Sequence, residues 1–202
     1  MKLIHISGPW PLCTNTFLLI SAGGKAVAID PAAQAQKYLD ELKKENSVLT
    51  DIFLTHGHYD HVGGVAELRR QTGAKVHLDL NDVKGNQLYP LTPDLIDCPW
   101  PDGSSEYTVD ELNFKIWHTP GHTPGGVVIA CGNQLFCGDT LFAGSCGRTD
   151  MEGGSSAQMQ RSLSLIADLP LPDETQVYPG HENFTTLGRE RRSNPCMLGD
   201  WF

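Results

Sequence analysis

Four side chains of metal-ligand type fall within six residues: His56, His58, Asp60 and His61, in the stretch THGHYDH at 55–61. Imidazole and carboxylate both suit zinc, at about 2.0–2.2 Å. Three of the chain's eight histidines sit here, which a chance His-rich surface loop does not explain. In an extended loop, alternation sends His56 and His58 to one side and leaves Asp60 and His61 for a neighbouring ion.

Three further segments repeat the design of a short apolar strand that runs into a Gly-containing loop with a His or Asp in it. They are FKIWHTPGH (114–122), QLFCGD (134–139) and VYPGH (177–181). His122 completes a three-histidine set with His56 and His58, and His181 completes a second set with Asp60 and His61. Asp139, with two carboxylate oxygens, is suited to bridge the sets. Two ions about 3.5–4 Å apart with open positions make a catalytic centre, whereas structural zinc sites are closed and tetrahedral. Two divalent ions, two aspartates and a bridging hydroxide leave a net positive centre. That favours a small anionic or carbonyl-bearing substrate, and metal brings the pKa of water to about 7. Zinc is the first choice, with iron or manganese as alternatives.

The remaining histidines carry weaker signals. His118 opens HTPGH and is a candidate to donate a hydrogen bond to a ligand. His77 and His5 read as structural. Trp10, Trp100 and Trp117 read as core or loop anchors, and Lys84, Arg189, Arg191 and Arg192 as solvated charge. The six cysteines form no C-x-x-C pair and read as free thiols, Cys146 among them as a buried or inert one.

These residues need strands to hold them. Lys2–Ser7, Thr16–Ser21 and Lys25–Ile29 read as strands, the last two joined through Gly23-Gly24. Ala32–Glu45 reads as a helix behind Asp30-Pro31, with Ala35, Tyr38, Leu39 and Leu42 at helical spacing. Asp51–Thr55 is a buried strand, Val62–Thr72 a helix and Lys75–Leu78 a strand. Residues 85–105, rich in Pro, Gly and Asp, read as an extended surface connection. Leu112–His118 is a strand, and Gly126–Ala130 with Gln134–Cys137 forms a hairpin at Gly132-Asn133. Ser156–Ala167 is a helix, Gln176–Tyr178 a strand and Thr186–Arg192 a final helix. Strands first, then mixed elements with antiparallel hairpins, favour an α+β layered domain over a doubly wound sheet. One domain spanning 1–202 is expected.

Composition is that of an ordinary globular protein: 40% hydrophobic and 19% charged residues. Twenty-four acidic against fifteen basic residues give a net charge of -9. That speaks against non-specific nucleic-acid binding, which rests on Lys and Arg. The opening MKLIHISGPW has no apolar run typical of a secretory signal, and no stretch approaches the about 20 residues of a membrane span. A cytoplasmic location is expected, with no membrane partner; the oligomeric state is left open.

With THGHYDH, HTPGHTPG (118–125), CGDTLF (137–142), SCGRTD (145–150) and PGHE (179–182) in hand, the chain resembles the metallo-β-lactamase-fold superfamily. Within it the chain is similar to the glyoxalase II-like (hydroxyacylglutathione hydrolase-like) branch. The resemblance runs from the first strand to the last histidine. It implies a four-layer αββα sandwich of two mixed sheets with the site at one edge. The implied ligands are His56, His58 and His122, then Asp60, His61 and His181, with Asp139 bridging. The implied reaction is attack of a metal-bridged hydroxide, oriented by Asp60, on a thioester or ester carbonyl. Arg148 matches a basic family position that contacts glutathione. Asn183, with Arg148 a candidate substrate contact, stands where the family has Tyr, an aromatic residue often found near the position of Asp150 is missing, and 21 residues follow His181. A short form lacking the glutathione-binding helical region is therefore expected.

Other functions compete. A mononuclear iron persulfide dioxygenase of the same fold would use His56, His122 and Asp139. A diiron flavoprotein oxidase meets His58 where that group has Glu. A nuclease of this fold is disfavoured by the acidic charge, and seven ligands with open coordination exceed what a metal-stabilised binding protein needs.

Overall fold

The computed structural model describes residues 1–199, and the sequence pattern accounts for most of its layout. Six strands form the first sheet in spatial order: β1 (Lys2–Ser7), β2 (Asn15–Ile20), β3 (Lys25–Ile29), β4 (Val48–Phe53), β5 (Lys75–Leu78) and β6 (Cys98–Pro99). The first three pair antiparallel and the rest parallel. The second sheet contains β7 (Ser104–Val109), β8 (Leu112–His118), β9 (Val127–Cys131), β10 (Gln134–Gly138), β13 (Gln176–Pro179) and β14 (Thr185–Thr186), in the order β14-β13-β10-β9-β8-β7. Only the β10–β13 pairing in it is parallel. A small hairpin, β11 (Leu141–Phe142) with β12 (Ser145–Cys146), stands apart.

Side-chain alternation sorts the layers. Along β2, Phe17 and Leu19 face the second sheet, where they join Phe53, Phe114, Ile116, Ile129 and Phe136. Their neighbours Leu18 and Ile20 face outward, under α1 (Ala35–Lys44) and α2 (Val65–Thr72), against Tyr38, Leu42, Val65 and Leu68. Because both faces are covered, β2 is buried at all six positions, as a near-continuous apolar run requires. The second sheet turns Val128, Ala130 and Leu135 to α3 (Ser156–Asp168), α4 (Leu187–Ser193) and α5 (Pro195–Leu198). Fully burying each such Leu, Ile or Phe contributes roughly 1.5–3 kcal/mol. The result is an α+β sandwich of two mixed sheets flanked by helices.

The expected elements differ from the structure in places. The first two helices start three residues later than expected, at Ala35 and Val65. The chain ahead of each is tied to the other, since Gly64 N–H donates to Pro31 O at 2.7 Å. Residues 85–105 are not a plain surface connection. They bury Tyr89, Leu91 and Trp100 and contribute β6 and the start of β7. The Gly and Pro there punctuate short elements, and the alternation of SSEYTV marks an edge strand.

Candidate metal centre

The loops that leave β4, β8, β10 and β13 converge at one edge of the sandwich. His56 and His58 follow β4, His122 follows β8, Asp139 directly follows β10, and His181 lies two residues beyond β13. Two glycines make the approach possible. Gly138 adopts φ +48° against Thr55, where a side chain would collide with the Thr55 hydroxyl. A Cβ on Gly180 would overlap the Asp139 carboxylate and lie 2.5 Å from the His61 ring.

Six of the seven residues form two linked trios. Donor atoms of His56, His58 and His122 lie within 4.8 Å of one another, and so do those of Asp60, His61 and His181. Asp139 stands between them, with Oδ1 3.4 Å from His61 Nε2 and Oδ2 3.4 Å from His122 Nε2. Its Oδ2 is also 3.5 Å from His181 Nε2, which lies 3.2 Å from Asp60 Oδ2. The first trio is buried, while Asp60 and His181 are partly open to solvent.

Outer hydrogen bonds fix the rings. His122 Nδ1–H donates to Arg148 O at 2.8 Å, and His181 Nδ1–H to Leu12 O at 3.2 Å. His61 Nδ1–H donates to Asp30 Oδ2 at 3.0 Å. Thr55 Oγ1–H donates to the same Asp30 oxygen at 2.6 Å and can accept from His56 Nδ1–H at 3.1 Å. In this tautomer set all four rings turn an Nε2 lone pair inward, the arrangement that metal ligation uses. His58 instead presents Nδ1, 2.9 Å from His122 Nε2.

Asp30 and Asp82 were not singled out in the sequence. Asp30 is buried, holds φ +45° and also accepts from Thr55 N–H at 2.7 Å. Asp82, fully buried, accepts from Gly57 N–H (3.0 Å) and Gly125 N–H (2.8 Å), clamping the His56–His61 loop to the loop after β8. The only sequence signal for Asp30 is that it precedes Pro31 at the end of an apolar strand, which reads as a turn.

Electrostatics match a cation site. Burial alone would raise the Asp139 carboxyl, but His61, His122 and His181 hold it well below the usual carboxylate range. Burial and its histidine neighbours keep His56 well below its ordinary value, and burial with His122 pushes His58 down to about 4. Those two imidazoles are neutral at pH 7, as ligands must be. His61 goes the other way: burial opposes its proton, yet Asp139 and Asp30 raise it well above the ordinary range. A metal ion bound here would replace that proton.

The decisive test of fit is what lies without a partner. His56 Nε2, His61 Nε2 and Asp139 Oδ1 are buried polar atoms with no hydrogen-bond partner, all aimed into this cluster. Buried atoms left so are costly; a bound metal ion would satisfy them, and the imidazole and carboxylate donor set suits zinc, iron or manganese. A cleft of about 520 Å³ opens over the cluster, lined by His58, Asp60, Asp139, Phe142, Cys146 and Arg148 among others.

Of three further sequence candidates, His118 and Asn183 lie off the cleft and Arg148 lines it. His118 Nε2–H donates to Pro124 O (2.9 Å), with Asp79 3.6 Å away, and is bonded to none of the seven. It braces its own loop, because the strand turns it away from the cluster. Asn183 is exposed and does not line the cleft; the neighbouring Glu182 does. Arg148 lines the cleft with its guanidinium held by Asp150 in a two-point pair, at 2.7 and 2.8 Å.

Comparison with known proteins identifies the family. The family model described as the metallo-beta-lactamase superfamily matches residues 10–181. A hydroxyacylglutathione hydrolase of Tolumonas auensis is 40% identical over 173 residues, covering 83% of this chain and 61% of that protein. The chain thus spans about three-fifths of that relative's length. Hydroxyacylglutathione hydrolase GloC of Haemophilus influenzae is 34% identical over 198 residues, 91% of this chain and 92% of that protein. Among solved structures, BLEG-1 B3 metallo-beta-lactamase superposes with TM-score 0.85 at 31% identity, covering 98% of this chain and 100% of that one. ETHE1 from Myxococcus xanthus gives TM-score 0.84 at 31% identity, covering 98% and 85%. With residues 10–181 matched and the fold shared, the chain belongs to the metallo-beta-lactamase superfamily.

Proposed function

We propose that this protein is a binuclear metal-dependent hydrolase acting on the thioester or ester carbonyl of a small anionic substrate. One observation carries the reading: Asp139 stands 3.4 Å from a histidine of each trio, beneath an open cleft. His56, His58 and His122 would hold one ion, Asp60, His61 and His181 the other, and Asp139 both. Zinc is the preferred metal, with iron or manganese as alternatives. Bound there, such ions supply Lewis acidity and bring the pKa of water to about 7.

The protein's own groups do the rest. Asp60 lies at the cleft floor, only partly buried, and its carboxylate accepts a hydrogen bond from the attacking water and orients it. Burial would raise Asp60, but the hydrogen bond from His181 and the charge of His61 keep it below its ordinary value, so it stays an acceptor at neutral pH. Arg148 lies on the cleft wall, where it meets an anionic substrate group by sharing its pairing with Asp150. Phe142 supplies apolar wall. The relatives named hydroxyacylglutathione hydrolase support a thioester, one of them close to this chain in length.

Among the described residues no helix is long and apolar enough to cross a membrane. Neither nucleic acid nor a membrane is part of the proposed reaction, and the proposed setting is the cytoplasm.

Metal content per chain, measured without chelator and paired with hydrolysis of S-lactoylglutathione, tests the reading. About two ions with thioester turnover are expected. A single iron, no thioester turnover, and oxygen uptake with a persulfide would replace it with the dioxygenase reading based on His56, His122 and Asp139.

A further inference from the structure

Cys146, on the cleft wall, faces Cys196 with the two Sγ atoms 3.0 Å apart, although fifty residues separate them in sequence. The contact joins the β11–β12 hairpin to α5. One side chain organises both partners: Asn194 Nδ2–H donates to Ser145 O at 2.9 Å, beside the first cysteine, and Asn194 Oδ1 accepts from Cys196 N–H at 2.9 Å, beside the second. The amide also donates to Phe142 O (3.2 Å) and to Glu190 Oε2 (2.8 Å), and Glu190 in turn accepts from Gly144 N–H (2.8 Å). The hairpin and α5 are therefore held in one register by bonds that do not involve sulfur. Asn194 is fully buried. Both cysteines are only half-buried, within reach of a small oxidant, whereas Cys131 and Cys137 are buried.

We propose that Cys146 and Cys196 are an oxidisable dithiol that closes to a disulfide with a hydroperoxide as oxidant. One thiol sulfur attacks the peroxide O–O bond, giving a sulfenic acid and releasing water (or an alcohol). The second sulfur displaces the sulfenic hydroxyl; the S–S bond forms and a second water leaves with the remaining thiol proton. Two thiols lose two electrons and one peroxide gains them. Burial and the hydrogen bond to Cys196 push the Cys146 thiol up, so little thiolate is present and the first step is slow. The second step is fast, because the partner sulfur is already in place.

The bond would tie down a segment that reaches the metal cluster. Arg148, two residues beyond Cys146, offers the carbonyl that fixes His122. The site follows from the sulfur geometry and does not depend on the hydrolase reading.

The test uses the full chain as purified, treated with hydrogen peroxide, alkylated and digested. The expected product is one peptide pair joining Cys146 to Cys196, two hydrogens lighter than its separate halves and released by dithiothreitol. Cys131 and Cys137 should be recovered alkylated after denaturation. In Cys196→Ser the pair should vanish and dimedone should label Cys146 as the trapped sulfenic acid. Cys146→Val, which removes the other sulfur without adding a polar group, should also give no linked peptide. Recovery of both cysteines as thiols while exposed Cys13 is oxidised would overturn the proposal. So would a disulfide from Cys146 to any other cysteine.

Discussion

Two buried clusters of histidine and aspartate draw on strand β4 and the loop after it, and only one has the marks of a site. The second is Asp51 of β4 with His77 of β5, joined by Tyr107 of β7. His77 Nε2–H donates to Asp51 Oδ1 at 2.9 Å and Tyr107 Oη–H donates to the same oxygen at 3.0 Å. Phe53 and Trp100 close over the His77 ring at 4.7 and 4.9 Å between centroids. None of these three residues has a buried polar side-chain atom without a partner, and none lines the cleft. The other cluster begins immediately after β4 ends. It leaves His56 Nε2, His61 Nε2 and Asp139 Oδ1 unsatisfied beneath the cleft. Residue type does not separate the two clusters; completeness does. A polar group that the fold has fully paired stabilises the fold, and several ligand-type atoms left unpaired together, facing one another beneath a cleft, mark a place for a ligand.

The largest effect is expected where the open cluster is most shared. Asp139→Ala removes the carboxylate that touches both trios. Metal content should fall below that of the wild type, and turnover by about 100-fold or more, since even outer partners of metal ligands are worth about 10–100-fold. Normal activity with full metal loading would break the two-trio reading. Next comes the support beneath the cluster. Asp30→Asn keeps a residue that tolerates positive φ but replaces at least one of the oxygens accepting from Thr55 and His61 with an amide donor. Zinc affinity, measured by chelator competition, should drop about 10–100-fold. An unchanged affinity would mean that the rings need no orientation by Asp30.

The closed cluster should respond in stability, not in metal. Asp51→Ala leaves the His77 and Tyr107 donors unpaired and should cost about 1–3 kcal/mol in urea unfolding, with zinc affinity unaltered. Its pH dependence has a definite sign. Burial would raise Asp51, but hydrogen bonds from His77, Thr50 and Tyr107 bring it below its ordinary value. A carboxyl lowered by folding contributes stability above its unfolded pKa of about 3.9 and loses it as pH falls through the folded value. The wild type should therefore lose stability below about pH 5 more steeply than Asp51→Asn. Equal slopes would show that the carboxylate charge contributes nothing to the closed cluster.

The open cluster was legible in the sequence and its foundation was not. The histidines and aspartates of THGHYDH, HTPGH, CGD and PGH announce themselves because ligand types crowd at strand ends, and the structure brings six of the seven into two adjoining trios with Asp139 between them. Asp30 and Asp82 gave no such signal. Each is a single acid ahead of ordinary turn residues, and its role exists only once β4 and the loop after β8 fold beside it. The strands with covered faces were readable from their apolar runs, as with NTFLLI. The edge strand β7 and the two-residue strands were missed, because an exposed edge carries mixed polarity and short pairings are set by tertiary contacts. Asn183 was placed at the substrate by analogy of position alone, and a one-residue difference in direction put Glu182 there instead.

His118 lies between the two clusters in kind, and the smallest predicted effect belongs to it. It sits four residues before His122, so spacing made it a candidate to orient a ligand. Its Nε2–H instead serves Pro124 O within its own loop, with Asp79 3.6 Å away. A residue that braces the loop without touching a ligand should act on stability and leave metal binding alone. His118→Ala should therefore unfold at slightly lower urea, by about 1 kcal/mol for one lost hydrogen bond, with zinc affinity within twofold of wild type, roughly the noise of a competition assay. If affinity instead drops about 10–100-fold, the loop from His118 to His122 is itself part of the open cluster's support. Completeness of hydrogen bonding would then fail to separate residues that serve metal from those that serve the fold.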